Sequence, residues 1–134
     1  MDYGMLAEKA VLAREMSYSP YSGFKVGAAL YAKSGNVYTG CNIENASYTP
    51  TICAERTAFS KAVSEGEREF IAIAVAGWGG EPGFAYPCGV CRQVMVEFCS
   101  PETFIVIITN GAERRQHTLA ELLPYGFGPR SLEH

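Results

Sequence analysis

The segment IAIAVA, residues 71–76, is apolar at every position and constrains the fold more than any other stretch of the chain. A strand that is apolar on both sides must be covered on both faces, as central strands of α/β sheets are. Its side chains alternate between branched residues and alanine, so we expect another element to pack very closely on the alanine side. FIVIIT, residues 104–109, is a second strand of this kind. Together they predict a sheet between two layers of helices.

The remaining segments supply the helices and the outer strands. Periodicity and turn residues predict helices at about 3–16, 53–64, 89–99 and 119–123, and further strands at about 24–31, 37–41 and 113–118. We expect Thr51 to cap the second helix and GWGGEPGF, residues 77–84, to be a flexible loop. The expected fold class is α/β, a three-layer α-β-α sandwich with a mixed sheet of about five strands.

The length of 134 residues is typical of one domain. We expect residues 1–131 to form it, because Leu132-Glu133-His134 resembles the start of a vector-encoded histidine tag. His134 is therefore excluded from function, which leaves His117 as the histidine to consider.

Charge and hydropathy exclude two classes of partner. The net charge is −3, and no basic cluster exists beyond Arg114-Arg115, so a nucleic-acid partner is disfavoured. The N-terminus lacks the pattern of a signal peptide, and no apolar run is long enough to span a membrane. We expect a cytoplasmic protein with no membrane contact. Five cysteines in such a reducing compartment point to metal binding or catalysis before disulfides.

The segments TICAERTA and PCGVCRQ suggest a zinc site. A lone C-x-x-C motif, such as that of Cys88 and Cys91, is equally compatible with a dithiol switch. Cys53 changes the balance, because both cysteine groups lie at predicted helix starts, where exposed N–H groups and the helix dipole favour thiolates. Three thiolates without a fourth ligand would leave one zinc position for water. Cys41, Cys99 and His117 are interpreted as structural.

Two charged residues near this cluster have chemical interpretations. Glu55 follows Cys53 by two positions, so its carboxylate can exchange a proton with water on the metal, whose pKa zinc lowers to about 7. Alone, it would be an ordinary glutamate of a first helical turn. Arg56 could draw charge from the thiolates, with Arg92 as the second choice. Both arginines could equally be helix-surface cations.

These segments resemble the small, zinc-dependent, homotetrameric cytidine deaminases. The ligand-x-Glu segment followed by P-C-x-x-C is the signature of zinc deaminases, with cysteine here in place of histidine. The likeness extends over nearly the whole chain, in the expected order: PYSGFKVGAAL at 20–30, GCNIENASY at 40–48, CAERTA at 53–58, PCGVCRQ at 87–93 and LLPYGFGP at 122–129.

The resemblance implies hydrolysis of cytidine and 2′-deoxycytidine to uridine and 2′-deoxyuridine with release of ammonia, as part of pyrimidine salvage. It implies one Zn²⁺ per subunit, held by Cys53, Cys88 and Cys91, with Glu55 as the proton shuttle. Substrate-binding residues would be the following: Phe24 against the base, the Ala54 N–H on the base carbonyl, and Asn42 and Glu44 on the ribose. Tyr48 and Phe127 would help to close pockets across subunits of a homotetramer.

One position departs from the family pattern. These enzymes usually carry a small residue before the proline of the second zinc segment, whereas this chain has Tyr86. This departure bears on the shape of the pocket near the leaving amine.

Other functions remain open on the sequence alone. A deaminase of a blasticidin-type antibiotic would share the zinc segments, although the NIEN loop fits a ribose. A polynucleotide deaminase conflicts with the acidic charge. A structural zinc module would need a fourth ligand, and a thiol oxidoreductase would leave Cys53 and Glu55 unexplained.

Overall fold

The computed structural model describes residues 2–133. Four helices, six strands and a final 3₁₀ turn follow one another in this part of the chain. In chain order they are α1 Tyr3–Arg14, β1 Lys25–Ala32, β2 Val37–Cys41, α2 Ala54–Ser64, β3 Phe70–Trp78, β4 Pro82–Gly83, α3 Gly89–Phe98, β5 Ile105–Thr109, β6 Arg114–Thr118, α4 Leu119–Leu122 and the turn Pro129–Leu132. None of the described helices is long and apolar enough to cross a membrane.

The strands form one mixed sheet in the order β2-β1-β3-β5-β6. β3 and β5 pair in parallel, and the other neighbours are antiparallel. The expected mixed sheet of about five strands is thus confirmed, with a sixth strand added.

The sequence predicted a flexible loop at residues 77–84. That prediction was wrong for Gly77 and Trp78, which end β3, and for Pro82 and Gly83, which form β4. β5 pairs with β3 only as far as Ala76, so the edge of β3 is free beyond that point. β4 takes this edge by pairing with Gly77 and Trp78. Proline cannot donate a hydrogen bond to a strand ladder, which fits so short a pairing.

The small side chains of β3 predicted close packing of another element on the alanine side, and the structure places α1 there. Ala72, Ala74 and Ala76 pack with Leu6 and Ala10 of this helix. The closest approach is at Gly27 of β1. A β-carbon there would lie 2.1 Å from the Ala10 carbonyl oxygen and 2.3 Å from the Arg14 nitrogen. Only glycine can occupy this position without displacing the helix backbone.

The branched side of the sheet is covered by α2 and α3. Ile73 and Val75 of β3 join Phe59 of α2 and Met95 of α3 in the larger of the two cores. The three-layer sandwich is therefore confirmed. α2 leads into β3 and α3 leads into β5, so both helices begin at the edge where these parallel strands end. This arrangement brings the two cysteine segments together.

α2 begins differently from the prediction. Its N-cap is Cys53, with no side-chain capping bond. Thr51 does not cap the helix, because its hydroxyl instead accepts the N–H of Asn45 at 3.1 Å. The domain end at residue 131 and the tag at 132–134 stay predictions, and His134 lies outside the described residues.

Candidate active site

Three cysteine sulfurs meet where α2 and α3 begin. Cys53 and Cys88 are the N-cap residues of the two helices, and Cys91 lies one turn into α3. The Sγ atoms of Cys53 and Cys88 are 3.7 Å apart, and those of Cys88 and Cys91 are 3.5 Å apart. All three lie within 4.8 Å of one another. Cys91 is buried, whereas Cys88 is exposed, so the cluster opens towards one side.

The cluster favours a thiolate at Cys53. Hydrogen bonding from Cys91, assisted by Arg56, lowers the pKa of Cys53 to about 5. The same interaction and burial raise the pKa of Cys91, so that its proton is retained. Because metal binding requires deprotonated thiols, a cation here would have to displace that proton.

The two arginines predicted as alternatives have different partners. Nη2 of Arg56 lies 3.5 Å from the Cys53 sulfur, and Nε of Arg56 is buried with no hydrogen-bond partner in the described part of the chain. Arg92 points elsewhere. Its Nε donates to the Pro87 carbonyl at 2.7 Å, and its Nη1 donates to the Leu122 carbonyl. Arg56 is thus the arginine beside the thiols. Arg92 instead joins the backbone just before α3 to the last residue of α4.

Glu55 is buried at the start of α2, with only 4% of its surface exposed. Burial raises the pKa of its carboxyl group to about 7, and the negative charge of Cys53 adds to this shift. A carboxyl group with a pKa near 7 can both accept and donate a proton near neutral pH.

A cavity of about 320 Å³ joins these groups to the residues predicted to bind substrate. Its lining includes Cys53, Cys88 and Glu55, together with Phe24, Asn42, Glu44 and Ala54. A larger groove, of about 450 Å³, lies where α3 ends, but none of the three clustered cysteines lines it.

Two predicted residues lie outside the cavity. Tyr48 lines a neighbouring pocket that shares Ser22, Glu44 and Thr51 with it. Phe127 is in the C-terminal segment, where its carbonyl accepts a bond from Nε2 of Gln93 at 2.7 Å. Within a single chain, therefore, the structure does not bring Tyr48 and Phe127 to the cysteine cluster.

The family follows from a comparison with known proteins. Residues 2–107 match the family model described as the cytidine and deoxycytidylate deaminase zinc-binding region. The chain belongs to the cytidine deaminase family.

Relatives of this family match nearly the whole chain. It is 46% identical over 134 residues to a cytidine deaminase of Sporosarcina psychrophila, covering 100% of this chain and 97% of the relative. It is 50% identical over 127 residues to a cytidine deaminase of Halalkalibacterium halodurans, covering 95% of each. A crystal structure of cytidine deaminase from Burkholderia pseudomallei matches with a TM-score of 0.86 at 48% identity, covering 95% of this chain and 100% of that one.

The cysteine cluster of this cytidine deaminase family member fits the zinc ion that its family model names. Sulfurs bound 2.3 Å from a tetrahedral zinc lie about 3.8 Å apart, close to the separations found here. Nε of Arg56, buried and without a hydrogen-bond partner among residues 2–133, also suits an environment richer in thiolate charge. Among residues 2–133, this is the one group of three or more metal-ligand side chains.

The loop residues Asn42 and Glu44 are already held by the protein. Oδ1 of Asn42 accepts bonds from the Ser17 hydroxyl at 2.5 Å and the Val26 N–H at 2.9 Å, and its Nδ2 donates to the Phe24 carbonyl at 2.8 Å. One amide hydrogen of Asn42 remains for a ligand.

Glu44 accepts bonds from the N–H groups of Tyr21 and Ser22 and from the Ser22 hydroxyl. These bonds, led by that of the hydroxyl, lower the pKa of Glu44. Glu44 is thus a fixed anion on the wall of the cavity.

Sequence reasoning missed the supports of this site. Ser17 and Ser22 gave no signal beyond their place in a polar turn. The contact between Tyr86 and His117 was also missed, because nothing in the spacing of two residues so far apart predicts it. Cys41 and Cys99 lie away from the cluster. The Cys41 thiol contacts the Met16 carbonyl at 3.3 Å, and burial raises the pKa of Cys99 to about 12.

Proposed function

We propose that this protein catalyses zinc-dependent hydrolytic deamination of cytidine and 2′-deoxycytidine, giving uridine and 2′-deoxyuridine in pyrimidine salvage. The observation that carries this proposal is the buried Glu55 carboxyl group, which shares a cavity of nucleoside size with a three-cysteine cluster. Cytidine deaminases that match the chain over almost its full length give it further support.

Cys53, Cys88 and Cys91 would hold one Zn²⁺ per subunit. When bound, zinc supplies a Lewis acid that activates water for attack on the base. Three thiolates would leave the site with a net charge of −1, which weakens that acidity. The Arg56 guanidinium beside the Cys53 sulfur would offset this charge, a role supported by its 3.5 Å contact.

Glu55 would carry the protons of the reaction. Its carboxylate accepts a proton from the attacking water, and the resulting acid protonates N3 of the cytosine ring. The water oxygen adds to C4 as a hydroxyl group. Glu55 then takes the proton of that hydroxyl and passes it to the amine, the C4–N bond breaks, and ammonia leaves while C4 becomes the carbonyl carbon of uridine. The pKa of Glu55 near 7 suits a group that must take and return a proton in each cycle.

The cavity walls suggest how the nucleoside would lie. Phe24, 41% exposed, would contact the pyrimidine ring. Ala54 is the first residue of α2, so its N–H has no acceptor within the helix and can donate to the base carbonyl. The remaining amide hydrogen of Asn42 and the carboxylate of Glu44 would bind the ribose hydroxyls.

The protein would act as a homotetramer, with Tyr48 and Phe127 closing the pockets of neighbouring subunits. In a single chain Tyr48 is 76% exposed and Phe127 is 60% exposed. Tyrosine and phenylalanine are enriched in protein–protein interfaces, which supports this role. Light scattering of the purified protein would give a mass close to four times 14.6 kDa.

The test combines zinc content with a substrate panel. Purified protein is analysed for zinc, then assayed by ultraviolet absorbance and ammonia release with cytidine, deoxycytidine, cytosine and blasticidin S. We expect one zinc per chain, turnover of both nucleosides and little action on free cytosine. Zinc-loaded protein that consumed only blasticidin S would indicate an antibiotic deaminase, and zinc-loaded protein inactive on all four would indicate a structural zinc module. Absence of zinc, with reversible thiol oxidation, would indicate an oxidoreductase.

A further inference from the structure

The segment between β3 and α3, residues 79–88, forms part of the cavity wall and ends at Cys88. We call it the Cys88 loop. Ala85, Tyr86 and Cys88 of this loop line the cavity. Its first half holds three glycines, which make backbone costly to hold in one conformation, and is anchored to β3 by the short strand β4; the cavity-lining residues follow β4 and belong to no strand or helix. A wall made from such a segment needs support from elsewhere in the molecule.

Tyr86 receives that support from a histidine on the edge strand. Its hydroxyl lies 3.0 Å from Nε2 of His117 in β6, and the two ring centroids are 5.4 Å apart. On the other side of the imidazole, Nδ1 of His117 lies 3.6 Å from Oε2 of Glu121 in α4. A carboxylate facing Nδ1 favours a proton on that nitrogen, which leaves Nε2 free to accept the tyrosine proton.

Glu121 is itself held in place. Its Oε1 accepts bonds from the N–H and the hydroxyl of Thr118, at 3.1 and 3.2 Å, in a capping box that begins α4. The support for Tyr86 therefore rests on the junction of β6 and α4 rather than on a freely rotating surface side chain.

Two further contacts hold the Cys88 loop against the same junction. The Arg115 guanidinium lies 3.7 Å from the centroid of the Phe84 ring, which is within cation–π range. Arg92 bridges the Pro87 and Leu122 carbonyls. Contacts to residues 84, 86 and 87 thus cover the half of the loop nearest to Cys88.

We propose that Tyr86, fixed by His117 and Glu121, is a positioning residue of the nucleoside pocket. This inference rests on the proposed function, since it concerns how that pocket receives its substrate. The phenol ring forms the wall, and the bond to His117 orders the wall before the substrate arrives. When the wall is already ordered, substrate binding does not have to provide the entropy cost of ordering it, and the affinity for substrate is higher. The gain is equal for substrate and transition state, so it affects KM rather than kcat.

Tyr86→Phe tests this directly, because it keeps the ring and removes only the hydroxyl group. We expect KM for cytidine to rise about fivefold, the effect of one lost hydrogen bond, with kcat within about twofold of the unmodified protein. His117→Ala should raise KM by the same factor. His117→Gln, whose amide oxygen can accept the phenol proton, should restore most of the loss. A purely structural role would instead lower Tm and the active fraction, without shifting KM.

The double variant Tyr86→Phe/His117→Ala decides whether the two residues act as one unit. We expect its KM to equal that of either single variant, because both remove the same interaction. Gln116→Ala, an exposed neighbour on β6, is the matched control and should leave KM unchanged. Unchanged KM in Tyr86→Phe, a fall in kcat alone, or additive effects in the double variant would overturn the proposal.

Calorimetric binding of uridine separates this inference from the proposed function. Uridine should bind about fivefold more weakly to Tyr86→Phe and to His117→Ala, whether or not the proteins turn over cytidine. Binding without turnover by the unmodified protein would count against deamination. The uridine affinities of the variants, compared with that of the unmodified protein, would still test the role of Tyr86. Equal uridine affinity in all variants would reject the role of Tyr86 even with deamination established.

Discussion

The carboxyl group of Glu55 lies at a position that would be unfavourable for an ordinary glutamate. It is buried, and the Cys53 thiolate nearby opposes its ionisation. No salt bridge to Glu55 is formed among residues 2–133. A glutamate kept in such surroundings destabilises its own charged form, and this is typical of groups that transfer protons.

Glu55→Gln should retain zinc and lose turnover. The amide has nearly the same shape and cannot transfer a proton, so we expect kcat for cytidine to fall about 10⁴-fold. Zinc content and the cysteine cluster should be unaffected, since Glu55 is not one of the proposed ligands. Glu97→Gln, at an exposed site in α3, is the control and should have normal activity. A Glu55→Gln protein with zinc and near-normal kcat would contradict the proton-shuttle role.

At the scale of elements, the contact between α1 and β1 determines how the sheet is covered. Gly27 allows the backbone of α1 to approach that of the strand, and the alanines of β3 continue the same close contact. Any added atom at Gly27 meets backbone atoms of Ala10 and Arg14, which cannot move as the end of a flexible side chain can.

Gly27→Ala should therefore destabilise the protein strongly. Overpacking of this kind typically costs about 3 kcal/mol, so we expect the free energy of unfolding to fall by about that amount in urea titration. Gly83→Ala is the matched control, because a β-carbon there meets nothing within 4 Å. Its stability should stay within about 0.5 kcal/mol of that of the unmodified protein. Equal stability of the two variants would show that α1 can shift at no cost.

Elements with strong patterns could be predicted from the sequence. The alternation of IAIAVA predicted a central strand, and its alanines predicted the close approach of another element, which the structure identifies as α1. The sequence also allowed us to predict a cluster of Cys53, Cys88 and Cys91, because each cysteine segment lies at the start of a predicted helix.

The rest depends on tertiary contacts that leave no local signal. β4 exists because β5 ends at Thr109 and leaves the edge of β3 free, which no property of Pro82 or Gly83 indicates. The bond between Tyr86 and His117 joins residues separated by all of α3 and β5 and most of β6.

At the scale of the whole molecule, one chain leaves its cavity open. Cys88 is exposed, Tyr86 is 38% exposed, and neither Tyr48 nor Phe127 reaches the cavity. An open site admits water and weakens electrostatic interactions with the substrate. The exposed aromatic residues of a second chain are the proposed means of closing it. We therefore expect two impaired variants, each with a different substitution, to restore activity when they form mixed oligomers.

Co-expression of Glu55→Gln and Phe127→Ala chains tests this sharing. Each variant alone should be impaired, since the first lacks the proton shuttle and the second lacks the wall offered to its neighbour. In mixed oligomers, a chain with intact Glu55 can receive Phe127 from a neighbour, so about a quarter of the sites regain both groups. Mixing Glu55→Gln with Cys53→Ser is the control and should restore nothing, because every site then lacks a group of its own cluster. Activity no higher than that of the separate variants would place Phe127 in the site of its own chain, or outside any site.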